Sequence, residues 1–386
     1  MDNPAAHVPI RRVLEKVAVL PGVEPLRVFP LLLPMWTVGI KSVVRETQPY
    51  EIFDRFLSLA IGRAGVRDVA GLAGFFAVEP ALVERTLRFL DAIGHLHRDG
   101  ETLSLTAIGM SSINDDQRYV IKEDRQVLYF DGFTSAPLPK NHYEGAVWLD
   151  EPHLRLSGGT RFQAVADAGM FRPEALKELE RRADREEYNL PAGLASVEPT
   201  AIGRSWLPTY VIECVSELLF YVKAIEGPDS YLSALATPYL NDALRAEKPV
   251  DDIQVWRDWL AGRGFRDVEP RRLPNRVLRA ALPAAAFGKS LEWWRLGSFE
   301  TQKHSFLQLW CDDDQTRLWA VLVRVGMQVS RRGLRDVDSV ERRLSDLSAQ
   351  LEVSTLEVKD LQAYARAESD DALSAALEGL IVGGLS

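Results

Sequence analysis

Apolar residues change their spacing several times along this chain, and each change predicts a new element. In 26–46, "LRVFPLLLPMWTVGIKSVVRE", Trp36, Val38, Ile40 and Val44 alternate with smaller or polar residues, the two-residue period of a strand, and Ser42 breaks the face. Pro30 and Pro34 exclude a helix and confine any early strand to an edge or a bend. From Pro49 the period turns helical: Ile52, Phe53, Phe56, Leu59 and Ala60 predict the inward face of a helix over 49–63. Asp68 is placed to cap a short second helix, "VAGLAGFF". Pro80 opens a third, which runs to Ile93 with Leu82, Val83, Leu87, Leu90 and Ile93 inward. Gly94 ends it, and "HLHRDGETLSLT" predicts a hairpin tipped by Asp99-Gly100.

Further on, "RYVIKEDRQVLYFDGFTSAPLP" and "EGAVWLDEP" predict short strands joined by Asp-Gly and Pro turns. The helix expected over 173–188 opens at Pro173 and gains support from Glu178 with Arg182; its charge suggests a solvated connector. "SWLPTYVIECV" and "ELLFYVKAIEG" read as buried strands, followed by helices over 229–246 and 251–262. The stretch 305–325 reads as a hairpin with "DDDQT" as its turn. Seven of the nine tryptophans lie between 206 and 319, which predicts a separate core there. Over 336–382 the pattern returns to helix, with Ser354 and Glu357 as a capping box and Ser369, Asp370 and Asp371 opening the last helix.

The three helices and hairpin of residues 49–113 resemble a winged helix-turn-helix domain. "LTAIG" (105–109) is similar to the LTxxG with which many bacterial regulators of that superfamily leave the wing. The expected fold is therefore α+β: an N-terminal winged-helix lobe with flanking β-strands, a Trp-rich mixed lobe and a helical C-terminal cap. Expected boundaries are 1–48 for an extended segment, 49–116 for the winged helix and 117–172 for a β-rich segment. A charged connector (173–203), the Trp-rich domain (204–335) and terminal helices (336–386) follow.

The resemblance implies contact with either DNA or protein. Outward positions on the third helix are Glu79, Ala81, Glu84, Arg85, Arg88 and Asp91. Between 49 and 116 there are six arginines, no lysine and ten acids, a net of −4, with Arg85, Arg88 and Arg98 as the surface cations. Each phosphate contact needs a cation, so this sign favours docking of protein over reading of a duplex.

At 386 residues the chain has room for two or three domains, and its net charge of −9 argues against a protein that coats nucleic acid or an anionic membrane. The most apolar run, "VFPLLLPMW", is too short to span a bilayer, and "MDNPAAHVPIRR" lacks the order of a signal peptide. Cys214 and Cys311 read as buried thiols of a reducing compartment. A cytoplasmic location is expected, with no membrane partner.

No motif selects an enzyme. "LSGG" (156–159) lacks a companion phosphate loop, and Gly288-Lys289-Ser290 has no glycine five residues before it. His95 and His97 share a face if both sit on one strand, but no second ligand pair is near, since His142 and His153 lie on other segments. Asp312, Asp313 and Asp314 suit a solubilising turn better than a cation site. His304 begins a faint phospholipase D-like pattern in which Phe306 and Cys311 replace the required Lys and Asp. Glu357-x-Lys359 is half of a nuclease pattern, on a helix rather than a strand. Neither a catalytic residue, a metal ligand nor a cofactor is assigned.

Basic residues gather instead in 263–279, where Arg263, Arg266, Arg271, Arg272, Arg276 and Arg279 face only Asp267 and Glu269. Arg331, Arg332 and Arg335 add a second group. Two readings stand: Arg271, Arg272, Arg276, Arg279, Arg331 and Arg332 contact nucleic acid, or these arginines pair with the protein's own acids. The function expected is that of a non-catalytic bacterial accessory or adaptor subunit in a multi-protein system that handles nucleic acid, such as antiviral defence. Other protein subunits are the expected partners and nucleic acid a second one. A DNA-binding transcriptional regulator and a metal-dependent nuclease with scattered carboxylates are the alternatives.

Overall fold

The structure is a computed structural model that describes residues 8–146, 148–150, 160–166, 169–247, 252–331 and 333–380. The fold is α+β, and the chain divides into two compact units. The first comprises Met1–Leu33, Gly145–Val165 and Trp206–Ser386, the second Pro34–Glu144 and Ala166–Ser205. Residues 49–116 and 173–203 both belong to the second unit, and 336–386 to the first.

In the second unit, the part of strand Pro25–Gln48 from Met35 onward runs antiparallel to Arg118–Asp131 through fourteen consecutive pairs, from Met35↔Asp131 to Gln48↔Arg118. Leu194–Cys214 lies on its other side, where the Arg45 amide donates to Gly193 O at 2.8 Å. The strand is thus central, not an edge. Pro30 and Pro34 are tolerated because neither is in the ladder that begins at Met35, nor in the Leu31↔Gln163 and Leu32↔Ala164 pairs. Ser42 does not break the buried face: it is fully buried within it, its hydroxyl 3.5 Å from Asp124 O. Of the two stretches expected as short strands after 117, the first forms one strand of fourteen residues, and among the described residues the second contributes the isolated bridge Leu149↔Trp206.

On one face of this sheet Trp36, Val38, Ile40, Leu128 and Phe130 pack against helix Glu174–Arg181 through Ala175, Leu176 and Leu179. The expected solvated connector is therefore an amphipathic cover. Its charges had hidden three apolar residues at helical spacing. The helix stops at Arg181, Arg182 pairs with Asp184 rather than Glu178, and Glu178 takes Arg172.

Residues 49–117 form an insertion between the paired ends Gln48 and Arg118. It consists of helices Ile52–Gly62, Val69–Phe76 and Pro80–Ala92, a hairpin of Leu96–Asp99 with Thr102–Leu105, and helix Ala107–Asp115. Leu57, Ala60, Ile61, Leu72, Val83, Leu87, Leu90, Leu96 and Leu103 make its core.

In the first unit, helix Ile10–Ala18 replaces part of the expected extended segment. Val13, Leu14 and Val17 bury one side of it against Val28, Leu32, Tyr210 and Ile212. A second core surrounds the sheet Phe299–Gln302, Ser305–Trp310, Leu278–Ala281 and Arg271–Arg272, in that order. Helices Asp252–Ala261, Asp314–Ser330, Val337–Gln350, Val358–Ala367 and Asp371–Glu378 enclose it, with Trp256 and Trp310 fully buried.

The hairpin expected over 305–325 is a strand followed by helix Asp314–Ser330. Asp313 caps it by accepting from the Thr316 amide at 2.7 Å, and Val321, Val325 and Val329 repeat every fourth residue toward the core. Cap and packing override the β-propensity of that run. The capping box sits one turn later than expected, between Glu357 and Asp360, and Asp370 rather than Ser369 caps the last helix. Cys214 and Cys311 are both buried and free, and burial pushes the Cys214 thiol up to about 12.

Within the insertion, Thr106 caps helix Ala107–Asp115 by accepting from the Gly109 amide at 3.2 Å and donates to Gly94 O at 2.6 Å. A Cβ on Gly109 would stand 2.3 Å from His95 O. Gly109→Ala is expected to destabilise the protein by about 2–3 kcal/mol or more, read from the midpoint of urea unfolding, because rigid backbone rather than a flexible side chain must give way.

Candidate functional site

Two surfaces carry the sequence-predicted residues, one in each unit. In the inserted module Asp68 Oδ1 accepts from the Gly71 amide at 2.7 Å, as expected of a cap, and Gly94, with φ 75°, lets the chain leave the third helix. The first helix begins at Ile52 and turns differently from the expected face: Leu57, Ala60 and Ile61 are buried, whereas Ile52 is 76% and Phe56 47% exposed. Leu82 is also exposed. On the first helix Asp54 and Ser58 are buried instead, beside the polar group described below. Phe75, at 62%, Phe89 and Met110 stand out as well. Of fourteen exposed large apolar side chains among the described residues, six fall within 52–110, less than a sixth of the chain.

Three of the six arginines of this module meet an acid, Arg55 pairing with Asp116 at 2.5 Å. Glu84 takes Arg98 at 3.0 Å and Arg88 at 3.8 Å, while Arg85 is exposed on the same helix.

Beneath this surface lies a buried polar group. His95 Nε2 contacts Tyr119 O at 2.5 Å and Ser112 Oγ at 3.4 Å, and Arg118 bridges Asp54 at 3.2 Å and Gln48 at 2.9 Å. His97 is exposed, so the two histidines do not share a face. Burial holds the His95 pKa below its ordinary value and the Asp54 pKa above its own, Arg118 opposing the latter.

In the first unit the predicted arginines of 271–279 each hold an acid. Arg271 pairs with Asp312 at 2.7 Å, Arg272 with Asp252 at 3.1 Å and Arg276 with Glu24 at 3.0 Å. Arg279, its side chain 8% exposed, pairs with Glu352 at 2.7 Å over the Trp310 ring. The structure thus gives the self-pairing alternative for all four. Of the second group, Arg331 is exposed and Arg332 lies outside the described residues.

The three consecutive aspartates part company: Asp312 holds Arg271, Asp313 caps a helix and Asp314 takes Arg317. His304 is engaged by Glu247 at 2.8 Å and Val28 O at 3.1 Å, and Glu357 pairs with Lys359. His153 and 156–159 lie outside the described residues. Among the described residues no group of three His, Cys, Asp or Glu is placed to hold a metal ion, and no helix is long and apolar enough to cross a membrane.

No protein family, curated protein or solved structure matches this chain. Geometry alone has to assign these surfaces.

Sequence reasoning missed one feature. Arg331 lies on the wall of a cavity of about 800 Å³ in the first unit, together with Arg11, Arg12, Lys289, Arg324 and Arg343. Arg324 and Arg331 are seven residues apart, two turns of helix, and that spacing was the available signal. The convergence of four separate segments on one cavity had none.

The buried histidine makes the module sensitive to pH. Its folded pKa lies below the unfolded value of 6.5, so the unfolded chain binds the extra proton first. Its stabilisation is complete above about pH 6.5 and declines as the pH falls below it. Asp54, raised above its ordinary value by burial, acts in the opposite sense. Urea midpoints followed by circular dichroism are expected to fall more steeply below about pH 6.5 in the native protein than in His95→Gln.

Proposed function

We propose that this protein is a non-catalytic accessory subunit that joins a multi-protein, nucleic-acid-handling system by docking a protein partner on the inserted module, 49–116. The observation that carries this reading is the module's surface: Glu84 engages both Arg98 and Arg88, while Ile52, Phe56, Phe75, Leu82 and Phe89 are exposed. A duplex-reading helix presents free cations and amides to phosphates and base edges. Here the third helix offers Arg85, and the module as a whole is acidic, with six arginines against ten acids. Exposed aromatic and aliphatic side chains framed by acids suit a protein that presents apolar anchors among basic residues. The winged-helix resemblance supplies the link to nucleic-acid systems, and antiviral defence is one setting of that kind. A transcriptional regulator, the second reading, requires Arg85 and Arg88 to reach phosphate.

A photo-crosslinking phenylalanine analogue at Phe75 is expected to capture one discrete protein in the native host, through a basic peptide of that partner. Ile52→Glu with Phe56→Glu should abolish the adduct. Arg85→Ala with Arg88→Ala should leave duplex affinity within about twofold. Absence of any adduct, with a drop of about tenfold in duplex affinity and a shallower salt slope, contradicts docking and supports the regulator.

A further inference from the structure

We infer that the arginine-lined cavity of the first unit binds a nucleotide through its terminal phosphate, a site separate from the docking surface and independent of the reading given to it. Six cationic side chains, Arg11, Arg12, Lys289, Arg324, Arg331 and Arg343, line the cavity, with Glu15 and Glu292 as its acids. Both acids are occupied: Glu15 accepts from the Ser298 hydroxyl at 2.6 Å, and Glu292 from the Trp294 indole. Arg12, Arg324, Arg331 and Arg343 form no salt bridge with a described carboxylate. This separates them from Arg271, Arg272, Arg276 and Arg279, each of which holds one.

Neutral groups hold the inner arginines in place. Arg324 donates to Leu296 O at 3.1 Å and Arg343 to Gln328 Oε1 at 3.3 Å, which orients the guanidinium groups without an ion pair, while Glu15 and, for Arg343, Asp346 offset their charge only from a distance. Burial, together with Arg343, Arg12 and Arg11 nearby, pushes the Arg324 pKa down to about 10, against the pull of Glu15. Arg324 therefore stays charged at neutral pH and keeps the repulsion. In a chain of net charge −9, gathering like charges in a half-buried cavity costs stability unless an anion enters.

The chemistry of the walls narrows the anion. Guanidinium forks match the several oxygens of a phosphate and its double charge better than a single carboxylate. Trp293 and Trp294 line the same cavity, and Arg11 sits 4.2 Å over the Trp294 ring, which fixes one indole in advance. Gly288, with φ 81°, leaves room for the Trp293 indole, which a Cβ would meet at 2.9 Å. Indole faces stack on nucleobases without regard to sequence. Gln328, also on the wall, has its carbonyl oxygen engaged by Arg343 and leaves its amide nitrogen as a donor for sugar or base acceptors. The volume of about 800 Å³ lies within the roughly 300–1,000 Å³ of small-molecule sites. Gly288-Lys289-Ser290 thus belongs to the wall of an anion cavity without forming a phosphate loop.

Titration of the full chain, followed by tryptophan fluorescence and calorimetry, tests this. The probes are ATP, adenosine, inorganic pyrophosphate, and a short oligothymidylate with a 5′-phosphate or a 5′-hydroxyl. Saturable binding of ATP or of the 5′-phosphorylated strand is expected, with adenosine and the 5′-hydroxyl strand at least about tenfold weaker. Preference between ATP and the phosphorylated strand tells a free nucleotide from a strand end. Arg324→Gln with Arg343→Gln should weaken binding by about tenfold or more, and Arg12→Glu, on an exposed position of a helix, should do so with no demand on packing. Trp294→Ala should weaken ATP more than pyrophosphate. No saturable binding of any phosphate probe up to about 1 mM overturns the inference. So does unchanged affinity in a folded Arg12→Glu variant, or adenosine binding as tightly as ATP.

Discussion

Gln48 and Arg118 face each other at the end of a fourteen-residue antiparallel ladder, and the whole inserted module hangs from that pair. Arg118 ties the junction together: it donates to Gln48, bridges Asp54 of the first inserted helix and lies 5.2 Å from the Phe89 ring on the third. A ladder this long fixes its register because a slip by one residue would turn Trp36, Val38 and Ile40 away from the helix that covers them. That pairing fixes where the module leaves the sheet and where it returns. His95 and Thr106 extend the constraint inward, and Gly109 permits it by having no side chain.

Electrostatics then divides the protein's arginines into two populations. Arg271, Arg272, Arg276 and Arg279 each pair with a carboxylate of the chain, and Arg88 and Arg98 share Glu84. Most of these pairs are exposed, where an ion pair contributes about 0–1 kcal/mol, so their effect is chiefly to cancel local field. Arg12, Arg324, Arg331 and Arg343 keep their charge beside two tryptophans. An acidic protein can contact an anion through such a pocket because at about 0.15 M salt charges are screened within about 8 Å. Local sign outweighs the total.

Local rules made much of the fold legible. Asp68, Pro80 and Gly94 punctuate the module, each acting within four residues of itself, whereas helix Ala107–Asp115 and its Thr106 cap were not expected. Where the reading failed, a non-local partner had decided the outcome. Glu174–Arg181 looked solvated until its three apolar residues met the sheet, and 305–325 looked like a hairpin until the Asp313 cap and the core selected helix. Candidate site residues followed the same division. Clustering in sequence found the arginines of 263–279, but acids from as far away as Glu24 and Glu352 pair with four of them, Arg271, Arg272, Arg276 and Arg279. The cavity is assembled from segments more than three hundred residues apart, and no spacing announces that.

The central claim is that phosphate meets this protein in the first unit and not on the inserted module. Hydrogen–deuterium exchange of the full chain, with and without ATP or a 5′-phosphorylated oligonucleotide, measures this most directly. Slowed exchange confined to 10–18, 287–296 and 324–331, with 80–105 unchanged, is the predicted result. Protection of 80–105 with no change around the cavity would contradict it.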